Sequence, residues 1–170
     1  GPKLSERVEL QSFTERARAN GMVPTARVIH HQARPLTPAE AASLGLPAGA
    51  PAIETLRVRA LDGRDVCLDR SLVPLDRAPG FESVSLQDTS LYDSLERVCG
   101  VRVVRSDYTI RAAAADATIA GQLAVEPGEP VLIAEEIIFD ESDLAVDLGE
   151  AVFRSDAYEF NATLFRPAHL

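Results

Sequence analysis

Apolar positions change their spacing along the chain, and the spacing assigns most of the elements. Val8, Phe13 and Ala17 form a thin stripe at helical intervals, which predicts a helix from Leu4 to Ala19 capped by Ser5 and stopped by Asn20-Gly21. Val23 to Ala33 reads as extended chain, interrupted by His30-His31. Thr37, Pro38 and Glu40 then make a capping box ahead of a short helix that Gly45 ends. Beyond the turn at Ala48-Gly49-Ala50-Pro51 the period changes to two, predicting strands over Ala52–Ala60 and Asp65–Val73 around Asp62-Gly63. Pro74 to Leu86 is irregular, with a turn at Pro79-Gly80.

The second half repeats the order. Thr89-Ser90 introduces a helix over Leu91–Val98, which Gly100 closes. Val101 to Ala115 is extended, Asp116 to Leu123 is a short helix, and Pro127-Gly128-Glu129-Pro130 is a turn. Strands are predicted over Val131–Phe139, Ala145–Phe153 and Tyr158–Phe165. Gly49-Ala50-Pro51 matches Gly128-Glu129-Pro130, and the elements around the two turns keep the same offset. Short helices between adjacent hairpins imply an α+β fold on a central antiparallel sheet of about six strands, built as a pseudo-symmetric internal repeat. Two copies are too few for a solenoid.

Composition narrows the function. The 170 residues suffice for one domain, and with 5% aromatics and no Trp the core is aliphatic. No apolar run is long enough for a membrane span and no signal segment opens the chain, so a cytoplasmic location is expected. The net charge of −9 repels phosphate backbones, which excludes nucleic-acid binding by this segment alone. Ten acids and no Lys or Arg lie between Arg111 and Arg154. Cys67 and Cys99 are too few for a disulfide scaffold and read as small buried fillers. The three histidines make no metal-ligand pattern, and no nucleophile, nucleotide-loop or zinc signature is present. Neither metal nor cofactor is expected, and the chain does not read as an enzyme.

The first hairpin carries the candidate chemistry. Thr55, Arg57 and Arg59 share one face of their strand, opposite Leu56 and Val58. For the apolar faces to meet, paired residue numbers must have an even sum. A three-residue bulged loop ending at Gly63 satisfies this, pairing Leu56 with Leu68, Val58 with Val66 and Thr55 with Asp69. Arg57, Arg59 and Asp69 then share a face able to hold an anion. Ser90 caps the next helix with Asp93 at its third position, adding oriented donors. Glu150 matches Asp69 in the second repeat if the second loop is two residues longer, and Arg154, Asp156 and Tyr158 follow it.

Four segments together resemble a known family: TPAEAASLGLPAGAPAIETLRVRALDGRDVCLDRSLVP, SLYDSLERVCGVRVVRS, LAVEPGEPV and FRSDAYEF. They are similar to the UTRA effector-sensing domain of GntR-type bacterial transcription regulators of the HutC subfamily. The likeness spans residues 12–166, leaving 1–11 as a linker, tag remnant or start of the first helix, and 167–170 as a tail. It implies a chorismate-lyase-like α+β fold, a homodimer, and a winged helix-turn-helix domain upstream through which alone the protein contacts DNA. It implies a small-molecule effector, anionic and in first place a sugar phosphate, held by Arg57, Arg59, Asp69, Thr89, Ser90, Glu150, Arg154 and Tyr158. Ala157 stands where the family carries an arginine, which would cost Asp156 a partner or leave the pocket rim less basic. The alternatives are a small-molecule enzyme on the related fold and a ligand-free dimerisation domain.

Overall fold

The computed structural model describes residues 4–6 and 10–168. Six strands form one antiparallel sheet: β2 (Pro24–Pro35), β3 (Pro51–Leu61), β4 (Arg64–Pro74), β5 (Val103–Ala114), β6 (Pro130–Asp140) and β7 (Ala145–Arg154). Their order across the sheet is β2-β3-β4-β7-β6-β5. Helices α1 (Phe13–Ala19) and α3 (Leu91–Cys99), with the turns over 75–83, cover the front face. Helices α2 (Pro38–Leu44) and α4 (Ala117–Leu123) cover the back. The fold is the expected α+β class. Among the described residues no helix is long and apolar enough to cross a membrane.

Caps explain the helix starts. In α2 the Thr37 side chain accepts from the Glu40 backbone N–H and the Glu40 carboxylate accepts from that of Thr37, so both halves of the box form. Ser90 and Asp116 cap α3 and α4 by the first half of that arrangement, accepting the backbone N–H of Asp93 and Ile119. The first helix is shorter than expected. Its cap is Ser12, which accepts from the Glu15 N–H at 3.1 Å. With the start set there, Leu4–Glu6 is free to form β1, paired in parallel with β8 (Tyr158–Phe160). The expected stripe residue Val8 lies outside the described residues. The last strand also stops early, at Phe160 rather than Phe165, and Leu164 and Phe165 are exposed.

The hairpin register corrects the expected one. Asp62 and Gly63 form a two-residue turn with φ of 51° and 80°, and the Asp62 carboxylate accepts the Val23 N–H at 2.8 Å. That bond favours the tight turn over the three-residue loop. The resulting odd register is repaired one step further in: Arg59 pairs with Cys67 and Ala60 with Asp65, leaving Val66 as a bulge. The even parity holds, but it shifts Asp69 from Thr55 to a position directly opposite Arg57.

The repeat is closer than the loop motifs revealed. Strands β2 and β3 and helix α2 recur as β5, β6 and α4, with one constant offset at both ends of each element. The bulge recurs too, because Ile138 pairs with Asp147 and Phe139 with Ala145, leaving Val146 extra. Val66 and Val146 are both buried against the front core. The second turn is one residue longer than the first, not two. The counterpart of Asp69 is therefore Gly149, and Glu150 is displaced to the other face.

Candidate functional site

Alternation along β3 places Arg57 and Arg59 on the front face beneath the starts of α1 and α3. Arg57 is 1% exposed and fully engaged. It donates to the carbonyls of Leu86 and Thr89 at 3.2 and 2.8 Å and to the Asp69 carboxylate at 3.1 Å. Arg59, 4% exposed, is held less completely. It donates to the Thr14 hydroxyl at 3.1 Å, lies 3.7 Å from Asp69, and stacks over the Phe13 ring at 4.1 Å. Its buried Nε has no hydrogen-bond partner among the described residues. Burial, and then the adjacent Arg57 charge, pull its pKa down to about 10, so it remains a cation at neutral pH. Arg16 on α1 lines the same space.

The other half of this space is acidic. Glu136, the repeat counterpart of Arg57, occupies the equivalent position on β6 and accepts from the Ser106 hydroxyl at 2.7 Å. Asp147 on β7 is 1% exposed and accepts the Leu72 N–H at 2.9 Å. Burial, with Glu136 adding to it, pushes the Asp147 carboxyl well above the usual carboxylate range. Gly149 separates the two acids: a Cβ built there would lie 3.3 Å from Asp147 Oδ2 and 3.3 Å from Glu136 Cγ. Tyr92 on α3 and Tyr108 on β5 complete this wall. The cavity is partly open to solvent, and its enclosed part measures about 50 Å³, small for a metabolite unless a wall moves.

The expected site residues divide. Arg57, Arg59, Asp69 and Ser90 line the cavity. Thr89 contributes its backbone carbonyl to Arg57 while its hydroxyl turns back to the Gln87 carbonyl. Tyr158 stands behind the wall, its ring tilted against that of Phe153 at 4.5 Å and its hydroxyl 3.2 Å from that of Tyr108. Glu150 belongs to the back face, in a row with Arg70 and Glu135. Arg154, an even-numbered neighbour on β7, also faces back, where it donates to the Leu123 carbonyl at the end of α4 and pairs with Asp156. Asp156 keeps Arg64 as a second partner, so Ala157 does not leave it alone; Ala157 itself is buried in the front core.

The cavity residues that the sequence pattern does not single out are Arg16, Tyr92, Tyr108, Glu136 and Asp147. The signal for Glu136 was present, because adding the repeat offset to Arg57 reaches it. His30 and His31 point to different partners, Glu54 and Thr55, as adjacent strand residues must. Cys67 is buried, Cys99 is half-buried, and neither is bonded to the other. Among the described residues no group of three or more His, Cys, Asp or Glu side chains could hold a metal.

A family model described as the UTRA domain matches residues 19–159. The HTH-type transcriptional repressor PhnF of Mycolicibacterium smegmatis is 28% identical over 163 residues, which are 96% of this chain and 66% of that protein. The HTH-type transcriptional repressor NagR of Bacillus subtilis is 28% identical over 160 residues, 94% of this chain and 65% of that one. The chain thus spans just under two thirds of the length of these curated relatives. The crystal structure of the effector domain of PhnF superposes with a TM-score of 0.88 at 26% identity, covering 95% of this chain and 99% of that one.

Proposed function

The chain belongs to the UTRA domain family, and from that premise we propose that residues 12–166 sense a small anionic metabolite in the front cavity and report it to an upstream helix-turn-helix domain. One observation carries the reading: Arg59 is a buried cation facing a cavity, with a donor that has no partner among the described residues. A buried unsatisfied donor costs about 1–3 kcal/mol, which an incoming anion recovers. The upstream domain is supported by the names of the relatives, which are repressors of the HTH type rather than enzymes. Delegation of DNA contact to the upstream part agrees with the net charge of −9, and a homodimer belongs to the same proposal.

Coupling follows from which wall moves. The bond from Arg59 to Thr14 ties the sheet to α1, the first helix among the described residues and thus on the side of the proposed upstream domain. An anion that draws the Arg59 guanidinium into the cavity breaks this tie and admits the rest of the ligand beneath α1. Only a difference in affinity between the two arrangements can shift them. A tenfold to hundredfold difference corresponds to about 1.4–2.8 kcal/mol. A sugar phosphate needs a wide withdrawal of α1, a smaller anion a narrower one.

Calorimetric titration with a panel of small organic phosphates and carboxylates, repeated on Arg59→Met, tests the reading. At least one member binds the wild-type chain, and the variant binds it at least tenfold more weakly. Silence across the panel, or undiminished binding by the variant, overturns it.

A further inference from the structure

The two halves of the cavity are related by the internal repeat but carry opposite charge, and the ligand chemistry follows from that inversion. Arg57 on β3 becomes Glu136 on β6, and Cys67, opposite Arg59, becomes Asp147, opposite Ile138. Phe13, whose ring lies beneath the Arg59 guanidinium, recurs at the same offset as Tyr92 on α3, which lines the acidic half. One pole thus offers guanidinium donors. The other offers the carboxyl groups of Glu136 and Asp147 beside Tyr92 and Tyr108, with Arg16 of α1 on the same lining. Carboxylates flanked by aromatic rings are the surroundings an ammonium group seeks. The unpartnered Nε of Arg59, 4% exposed, marks the same cavity as built for a guest.

Resting on the effector-sensing reading above, we infer that the effector is dipolar: a short phosphate or carboxylate that also carries an ammonium group, with the anion at Arg59 and the ammonium between Glu136 and Asp147. Strands β3 and β6 are separated by β4 and β7, about 14 Å at ordinary strand spacing, and the row of Glu136, through Gly149 and Ser71, lies four residues along the strands from that of Arg59, through Cys67 and Phe153. The two poles are thus well apart at the backbone, and their long side chains reach inward to line one cavity. Gly149 keeps the acidic end open, since a methyl group there meets both acids at 3.3 Å. Its φ lies outside the left-handed region, so the open space rather than backbone geometry is what glycine provides at this position.

The matched probes are phosphoethanolamine and ethyl phosphate, which differ by the ammonium group. Titrated into the 170-residue chain, phosphoethanolamine binds at least tenfold more tightly. Glu136→Gln keeps an acceptor for Ser106 but removes the charge, and it collapses the ratio to within threefold. Gly149→Ala, which fills the acidic end without touching the arginines, also lowers the ratio. Equal binding of the two probes, a ratio that survives Glu136→Gln, or binding confined to other anions of the panel overturns the dipolar assignment and leaves the anion site standing. Absence of binding by every anion tested overturns both.

Discussion

Arg57 and Arg59 stand two residues apart on one strand, yet their surroundings assign them different work. Arg57 donates to Asp69 and to two carbonyls of the loop ahead of α3. Its removal leaves those carbonyls and a carboxylate without their donor. Arg57→Ala should therefore destabilise the fold by about 3–5 kcal/mol, the usual loss when one member of a buried pair is deleted. Arg59 has one hydroxyl partner, a distant carboxylate and a vacant Nε. Replacing a desolvated, half-satisfied charge by an apolar chain of similar length is often neutral or stabilising. Arg59→Met should leave stability within about 1 kcal/mol of wild type, or raise it, while weakening anion binding at least tenfold. Urea unfolding of the two variants decides the matter, and equal destabilisation would show that Arg59 is structural as well.

At the level of elements, the capping box of α2 is tied to the sheet by an ionic network. Arg34 donates to both oxygens of Glu40 and to Glu54. Its hydrogen bonds, with those to Thr37, hold the Glu40 carboxyl down at about 2, against an ordinary 4.5. A carboxyl depressed in the folded state stabilises above its unfolded value and loses that contribution as pH falls toward the folded one. Stability should thus decline between about pH 5 and pH 2, and Glu40→Gln should flatten that part of the profile in thermal unfolding. The box was legible in sequence because it is local: Thr37, Pro38 and Glu40 decide it within one turn. The hairpin register was only half legible. Its parity followed from alternation, but the position of the bulge depended on the bond from Asp62 to Val23, 39 residues away. The same long-range origin explains Glu150. Its face was fixed by a one-residue difference between two turns, which pattern alone could not count.

Across the whole molecule, the repeat sets a sheet between two unlike surroundings. The back is closed by α2 and α4 over apolar clusters; the front is closed by α1 and α3 over a charged cavity of about 50 Å³. A guest that expands this cavity pushes on α1 and on the loop before α3, because those are the walls not woven into the sheet. The two walls differ in their ties. The loop is held by Arg57, whose donors are already engaged, whereas α1 is held by Arg59, the arginine proposed to take the anion. Saturation with a binding anion should therefore lower amide-exchange protection over residues 12–19, and leave α2 and α4 unchanged. Thr14→Val removes the acceptor that links α1 to Arg59 without removing the guanidinium. Affinity should stay within about threefold of wild type in that variant, and the exchange response of α1 should largely disappear because the tie is already cut. Exchange that changes equally on both faces, or a Thr14→Val chain whose α1 still responds in full, would mean that the signal leaves the cavity through the sheet and not through the first helix.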